Sequence, residues 1–262
     1  MTKECCISSP HQELSYTPAV WEYLWQQNTV ITPERLAEVF PAYRAFQQDP
    51  EHPLIWNTPF HTLSGQSAVI GLHGPTGAGK DTLLAGVEDA AVKIVTTTSR
   101  LPRPNESEGN PYHFISENLF NQYIQTNKFI EYVRQVSGFY GTTAQEVKEK
   151  IHQATNQHKP LIWKGNIEGH PTFTKEVLQR FGINTTSIFI LPRLPIQEYY
   201  RHIENKRGRE EAKKRWNTAR MEIEHAPKYV DYILVNPFDL PDGKQQALDA
   251  CMYLCSTLQS KK

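Results

Sequence analysis

Gly74-Pro75-Thr76-Gly77-Ala78-Gly79-Lys80 has the residue types and spacing of a phosphate cradle, G-x-x-x-x-G-K. Glycines let backbone N–H groups wrap an anion, and a helix opening directly after the loop adds positive potential. A lysine at the end of the loop supplies a mobile full charge for a phosphoryl group in transit. The flanking sequence has the required context: the apolar run Ala68–His73 predicts a strand, and the periodic stretch Thr82–Ala90 predicts a helix. The chemistry implied is binding of nucleotide phosphates. One position departs from the pattern. Asp81 stands where a Ser or Thr hydroxyl ordinarily reaches Mg²⁺. A carboxylate there either repels phosphate or holds Mg²⁺ directly or through water. Thr82 offers a hydroxyl one step further on.

These residues must be positioned by regular elements, and the rest of the chain supplies them. Short apolar runs at Ile94–Thr97, Leu161–Trp163, Ser187–Leu191 and Tyr232–Val235 read as strands. Between them lie stretches with helical periodicity: Glu117–Gln125, Ala144–Gln157, Phe173–Phe181, Ile196–Lys206, Glu210–His225 and Lys244–Leu258. This alternation predicts an α/β fold, layered around a mostly parallel sheet flanked by helices. Residues 1–66 differ, being rich in Pro, Gln, His and Trp. Thr32-Pro33-Glu34 reads as a helix start, and Val20, Trp21, Leu24 and Trp25 suggest an earlier short helix. We expect residues 1–66 to be an N-terminal helical extension of unknown role, joined near His61–Gln66. Too small for a core of its own, it is expected to dock on the main domain, residues 67–262, or to serve a protein partner or self-association.

Bulk properties exclude several classes. The 262 residues carry 28 Lys+Arg against 28 Asp+Glu, so no global basic field argues for nucleic acid or an anionic membrane. No apolar run approaches the ~20 residues that span a bilayer. The start MTKECCISSPHQ has no secretory h-region, and four cysteines, Cys5, Cys6, Cys251 and Cys255, suit a reduced, cytoplasmic setting. Cys251 and Cys255 lie on one predicted helix and read as core packing.

A longer stretch narrows the reading. Thr96-Thr97-Thr98-Ser99-Arg100-Leu101-Pro102-Arg103, continuing through Glu106, Gly109 and Tyr112 to Phe114, resembles the signature T-T-R-x-P-R-x-x-E-x-x-G-x-x-Y-x-F of the guanylate kinase family. Phe129-Ile130-Glu131, Gly138-Phe139-Tyr140-Gly141-Thr142, Ser187–Pro192, Arg207-Gly208 and Val235-Asn236 follow in that family's order. The resemblance covers about residues 67–258. It implies a P-loop NTPase fold with a small GMP-binding subdomain over about residues 97–142 and a lid over about residues 201–215. It implies transfer from ATP to GMP or dGMP, with Mg²⁺ as cofactor and small-molecule nucleotides as partners.

Residue by residue, the resemblance assigns Gly74, Pro75, Thr76, Gly77, Ala78, Gly79, Lys80, Asp81, Thr82 and Asn236 to ATP, with Asp81 and Thr82 toward the metal. Thr96, Arg100, Arg103, Tyr112, Glu131, Tyr140 and Thr142 fall to GMP, and Lys80, Arg207 and Arg215 to catalysis. The chemistry suits these roles. Arg100 and Arg103, three apart, present two guanidinium forks to one phosphate, and the tyrosines add hydroxyl donors. A carboxylate at Glu131 suits the adjacent N1–H and 2-amino donors of guanine. Arg207 and Arg215 sit in a basic run that resembles the family's lid, with Gly208 as a pivot.

The fourth strand departs from the family. Where L-D-I-D-x-Q-G is usual, this chain has Lys164-Gly165-Asn166-Ile167-Glu168-Gly169, replacing both acids. Lys164 against Asp81 would make a charge-swapped pair; a plain strand-end lysine is the other reading. The G-K-D loop and this strand are similar to ribose bisphosphate kinases of the same fold, whereas the acceptor residues are not. A catalytically weak interaction module is the remaining alternative.

Overall fold

The computed structural model describes residues 17–58, 69–135 and 137–258. The expected joint at His61–Gln66 and the Cys5–Cys6 pair lie outside them. In chain order the elements are α1 (Pro18–Gln26), α2 (Pro33–Val39), β1 (Gln47–Gln48), β2 (Ile55–Asn57), β3 (Val69–His73), α3 (Lys80–Gly86), β4 (Val92–Ile94) and β5 (Thr96–Thr98). Then come β6 (Ser107–Glu108), β7 (Pro111–Phe114), α4 (Glu117–Gln125), β8 (Phe129–Gln135), β9 (Gly138–Thr143), α5 (Ala144–Gln157) and β10 (Leu161–Lys164). The chain ends with α6 (His170–Phe181), β11 (Thr185–Pro192), α7 (Ile196–Arg207), α8 (Arg209–His225), β12 (Tyr232–Asn236) and α9 (Gly243–Thr257).

The larger sheet has the order β1-β2-β12-β11-β3-β10-β4. Its run from β12 to β4 is parallel throughout, and β2 pairs antiparallel with β12. A parallel sheet is covered on both faces, so its strands read as continuous apolar runs rather than alternations. Along β11, Ile188 and Ile190 pack with Leu83 of α3 and Leu254 of α9. Phe189 and Leu191 point the other way, onto Tyr199 and Ile203 of α7 and Ile223 of α8. Over β4 and β10 the same role falls to Val147 of α5 and to Phe173 and Val177 of α6, against Ile94 and Trp163. Cys251 and Cys255, on the inner face of α9, are free and buried in the core. Among the described residues, no helix is long and apolar enough to cross a membrane.

The N-terminal part differs from the expected helical extension. It is helical up to Ala45, but β1 and β2 then form a hairpin that adds to the open edge of β12, where unpaired backbone groups would otherwise face solvent. It also has no core of its own. Trp21, Leu24, Leu36, Phe40 and Tyr43 belong to one buried cluster with Tyr199, Trp216 and Ile223 of α7 and α8. Tyr43 Oη donates to the Ile223 carbonyl (2.6 Å), and Trp21 Nε1 donates to Glu224 (3.1 Å). The described part of the segment is therefore docked on its own chain. Its second helix begins as the sequence dictates, with the Thr32 hydroxyl accepting from the Arg35 N–H and Pro33 in the first turn.

The smaller sheet, β6-β7-β5-β9-β8, grows out of the end of β4. It stands over the C-terminal ends of β3 and β10. In open α/β sheets that end is where ligands bind.

Candidate active site

The phosphate loop leaves β3 in a conformation that only glycine tolerates. Gly79 has φ +92°, and a Cβ there would sit 2.3 Å from Asn236 Nδ2. Side chains secure the loop's carbonyls. Lys80 Nζ donates to the carbonyls of Gly74 and Pro75, Tyr199 Oη to that of Thr76 (2.6 Å), and Asn236 Nδ2 to that of Ala78 (2.9 Å). Holding the carbonyls this way leaves the amide edge of the loop and the start of α3 for an anion. Beneath the loop, His73 is fully buried and bonded to the Gly165 carbonyl (3.1 Å) and to His170 (3.2 Å). Burial, with His170 and Lys80 nearby, holds His73 well below the ordinary histidine pKa, so it is a neutral brace at pH 7.

A cavity of about 430 Å³ opens from this loop toward the smaller sheet. It brings together Gly74, Thr76, Gly77, Lys80, Asp81, Thr96, Arg100, Arg103, Tyr112, Glu131, Tyr140, Arg207 and Arg215. Arg100 is clamped rather than free. Its guanidinium makes a bidentate pair with Glu106 (2.5 and 2.7 Å) and donates to Tyr140 Oη (3.1 Å). Glu106 also accepts the Arg103 N–H (2.9 Å), so one carboxylate organises both arginines. Its bond to Arg100, against desolvation, holds the Glu106 pKa below the ordinary range. The ring of Tyr112 lies 5.6 Å from that of Tyr140 and under the Arg100 guanidinium (5.1 Å), with its hydroxyl at Lys164.

Glu131 closes the far end of the cavity and is only 5% exposed. It is fixed by a two-step relay: Trp163 Nε1 donates to Thr142 Oγ1 (2.9 Å), and Thr142 Oγ1 donates to Glu131 Oε1 (2.8 Å). Trp163 is itself held by stacking on Phe173, with centroids 3.7 Å apart. Burial raises the Glu131 pKa to about 8, the Thr142 bonds opposing it. An ionised carboxylate in that pocket needs hydrogen-bond donors beyond those of Thr142.

Between the two ends, Lys164 reaches out from the tip of β10 to Asp81, with Nζ 2.7 Å from Oδ1. The charge-swapped pair expected from the two departures is present. Lys164 is 11% exposed and Asp81 83% exposed. Against desolvation, the Lys164 ammonium with help from Lys80 keeps the Asp81 pKa below its ordinary value. From the α7–α8 side come Arg207, ending α7, and Arg215, whose Nε donates to Glu211 (2.6 Å). Gly208 separates α7 from α8 with φ +78°, a backbone state that suits glycine at the turn between the two helices. Glu222 lines the cavity near Lys80, and burial lifts its pKa to about 7 while Lys80 opposes the rise.

Some assigned residues are not on the cavity wall. Thr142 is fully buried and acts through Glu131. Asn236, assigned to ATP, is 5% exposed and props the loop from below. Thr82 is exposed on α3 outside the cavity, and Pro75, Ala78 and Gly79 contribute shape to the loop rather than lining. Glu106, Trp163, Tyr199 and Glu222 received no role from the sequence. The bidentate Arg100–Glu106 pair was the most accessible of these, since an acid six residues from an arginine within one turn-rich stretch is a local signal. The others depend on contacts far apart in the chain. The site also fits an Mg²⁺ ion brought by a nucleotide. Such ions use one or two carboxylates plus substrate phosphates, and Asp81 keeps one oxygen clear of Lys164.

A guanylate kinase family model matches residues 66–240. A guanylate kinase of Paramagnetospirillum magneticum is 31% identical over 183 residues, covering 67% of this chain and 79% of that protein. One from Wolinella succinogenes is 32% identical over 190 residues, covering 70% and 82%. The solved guanylate kinase of Anaplasma phagocytophilum shares the fold, with a TM-score of 0.54 at 23% identity over 75% of this chain and 89% of that one.

Proposed function

The chain belongs to the guanylate kinase family, and from that premise we propose that it transfers the γ-phosphoryl of ATP to GMP or dGMP, giving ADP and GDP or dGDP. One observation carries the reading: a single cavity joins Lys80 and its loop to the Arg100–Arg103–Tyr112–Tyr140 cluster, with a buried carboxylate, Glu131, beyond it. The donor's phosphates rest on the loop amides and Lys80. The acceptor's phosphate is gripped by the two arginines and two tyrosines, and its base meets Glu131. AMP and the pyrimidine nucleotides do not offer the adjacent N1–H and amino donors that a carboxylate needs. An oxygen of the acceptor phosphate attacks the γ-phosphorus in line, and the bond to the β-bridging oxygen of ADP breaks. Positioning and charge do the work, with no covalent enzyme intermediate. Lys80, Arg207 and Arg215 neutralise the equatorial oxygens, and α7 and α8 move about Gly208 to exclude water.

Asp81 would hold Mg²⁺, which would supply charge neutralisation to the donor's phosphates. Thr82 could share that role only after a movement of α3. A cytoplasmic setting suits the free thiols of Cys251 and Cys255. The G-K-D loop is similar to ribose bisphosphate kinases, but no feature of the acceptor end supports that reading over a guanine nucleotide.

The test is ADP formation with ATP and Mg²⁺ against GMP, dGMP, AMP, UMP and ribose 1,5-bisphosphate. Turnover is expected with the two guanine nucleotides, and Lys80→Ala should lower it at least ~10²-fold. Turnover with ribose 1,5-bisphosphate alone would overturn the assignment. So would GMP binding without transfer to any acceptor, the signature of an interaction module.

A further inference from the structure

We propose that Lys164 is a catalytic cation in this chain: its ammonium binds an equatorial oxygen of the phosphoryl group as that group passes from donor to acceptor. The inference rests on the phosphotransferase reading above.

The geometry puts this ammonium at the crossing point. Lys164 ends β10, paired in register with Leu72 of β3, two residues before the phosphate loop begins at Gly74. Its Nζ touches Asp81, the residue directly after the loop lysine, at 2.7 Å. The same Nζ lies 4.9 Å from the ring centroid of Tyr112, a member of the acceptor-phosphate cluster. One side chain thus bridges the donor-binding helix and the acceptor-binding sheet. The cavity wall at that point also carries Lys80, Arg207 and Arg215.

A lysine this buried is expensive to keep unless something repays its desolvation. Against desolvation, Tyr112 and Asp81 raise the Lys164 pKa, so the ammonium stays charged in the cavity. An ammonium has three N–H donors; Asp81 takes one and the Tyr112 hydroxyl a second. A phosphoryl oxygen arriving between Tyr112 and the loop would take another. Asp81 then has two consequences. It holds the lysine in place before nucleotide arrives, and its own charge is cancelled, so it does not repel the donor's phosphates.

The competing account is that Lys164 only neutralises Asp81. A double-mutant comparison separates the two, because neutralisation is unnecessary once Asp81 is uncharged. We expect Lys164→Met to lower kcat about 10²–10³-fold, the range for losing one preorganised charge at a developing anion, with KM for ATP and GMP changing only a few-fold. Asp81→Asn, whose amide oxygen still offers Mg²⁺ a ligand, should cost less, and Asp81→Asn/Lys164→Met should remain as slow as Lys164→Met. Recovery of kcat in the double variant to the level of Asp81→Asn would overturn the proposal. So would a loss confined to KM. If Lys164→Met does not fold, judged by its melting curve, Lys164→Gln and Lys164→Arg provide the same readout. Retained kcat in Lys164→Gln would overturn the proposal, while loss in Gln with partial recovery in Arg would support it. The wild-type protein is assayed first. No transfer to GMP by the wild type sinks the functional reading itself, whereas normal wild-type transfer with an unaffected Lys164 variant sinks only this inference.

Discussion

Raising the pH from 7 to 8.5 is expected to lower the KM for GMP about eightfold, because the carboxyl that meets guanine is mostly protonated in the empty site. Glu131 is 5% exposed, and desolvation raises its pKa to about 8 from an ordinary 4.5, with the Thr142 bonds opposing the rise. At pH 7 roughly one Glu131 in eleven is then ionised, and at pH 8.5 roughly three in four. If only the ionised form accepts the guanine N1–H and amino donors, apparent affinity scales with that fraction. Binding at pH 7 should release about 0.9 proton. The sign for stability follows from the same shift. Between 4.5 and about 8 the folded state holds a proton that the unfolded state has lost, so stability falls as pH rises through that window and GMP offsets the loss. The assay is initial rates against GMP at four pH values, with calorimetry in two buffers of different ionisation heat to count protons. Glu131→Gln is the control, since titration of the nucleotide itself appears equally in both proteins. The variant should bind weakly, release no proton from this site, and lose the steep pH dependence. A wild-type KM that follows Glu131→Gln across this range, with no proton released, would refute the reasoning.

Two further predictions follow from packing and from the relay. Trp163→Phe keeps the stack on Phe173 but removes the N–H that fixes Thr142. One buried hydrogen bond is worth about 1 kcal/mol, so the KM for GMP should rise roughly fivefold with kcat within twofold, and the midpoint of the KM–pH profile should move up. A pH profile identical to wild type would mean the tryptophan only packs. Trp21→Ala should destabilise the whole molecule by about 3–5 kcal/mol, because its ring fills the shared core against Trp216 rather than a separate unit. A single calorimetric transition shifted down by roughly 10 °C is the expected result. Unchanged melting of the α/β body would show that residues 17–57 fold independently.

Much of this molecule was legible from local pattern. The loop from Gly74 to Lys80, its flanking strand and helix, and the parallel strands and their covering helices are written in short windows of sequence, whereas β6 to β9 of the smaller sheet left no pattern that was read as strand. Apolar runs and glycine spacing act within a turn or two of where they occur. The helix start at Thr32 is equally local, because cap and proline act on the nearest N–H groups. The N-terminal hairpin was not legible. Gln47–Gln48 and Ile55–Asn57 are too short to announce themselves, and they become strands because the edge of β12 needs partners.

The same division runs through the site. Spacing alone points to a lysine on a glycine loop, and resemblance to the family adds arginines and tyrosines for a phosphate, a carboxylate for a base, and cations on a lid. How these groups are held depends on contacts between segments far apart in the chain. Asn236 turns under the loop, Thr142 donates a hydrogen bond to Glu131, Glu106 clamps Arg100, and Lys164 meets Asp81 across 83 positions of chain. Each of these contacts joins a side chain to a partner that strand register or a turn brings near. Burial then sets the charge each group carries, since the cost of desolvation depends on everything packed around it and not on the residue alone.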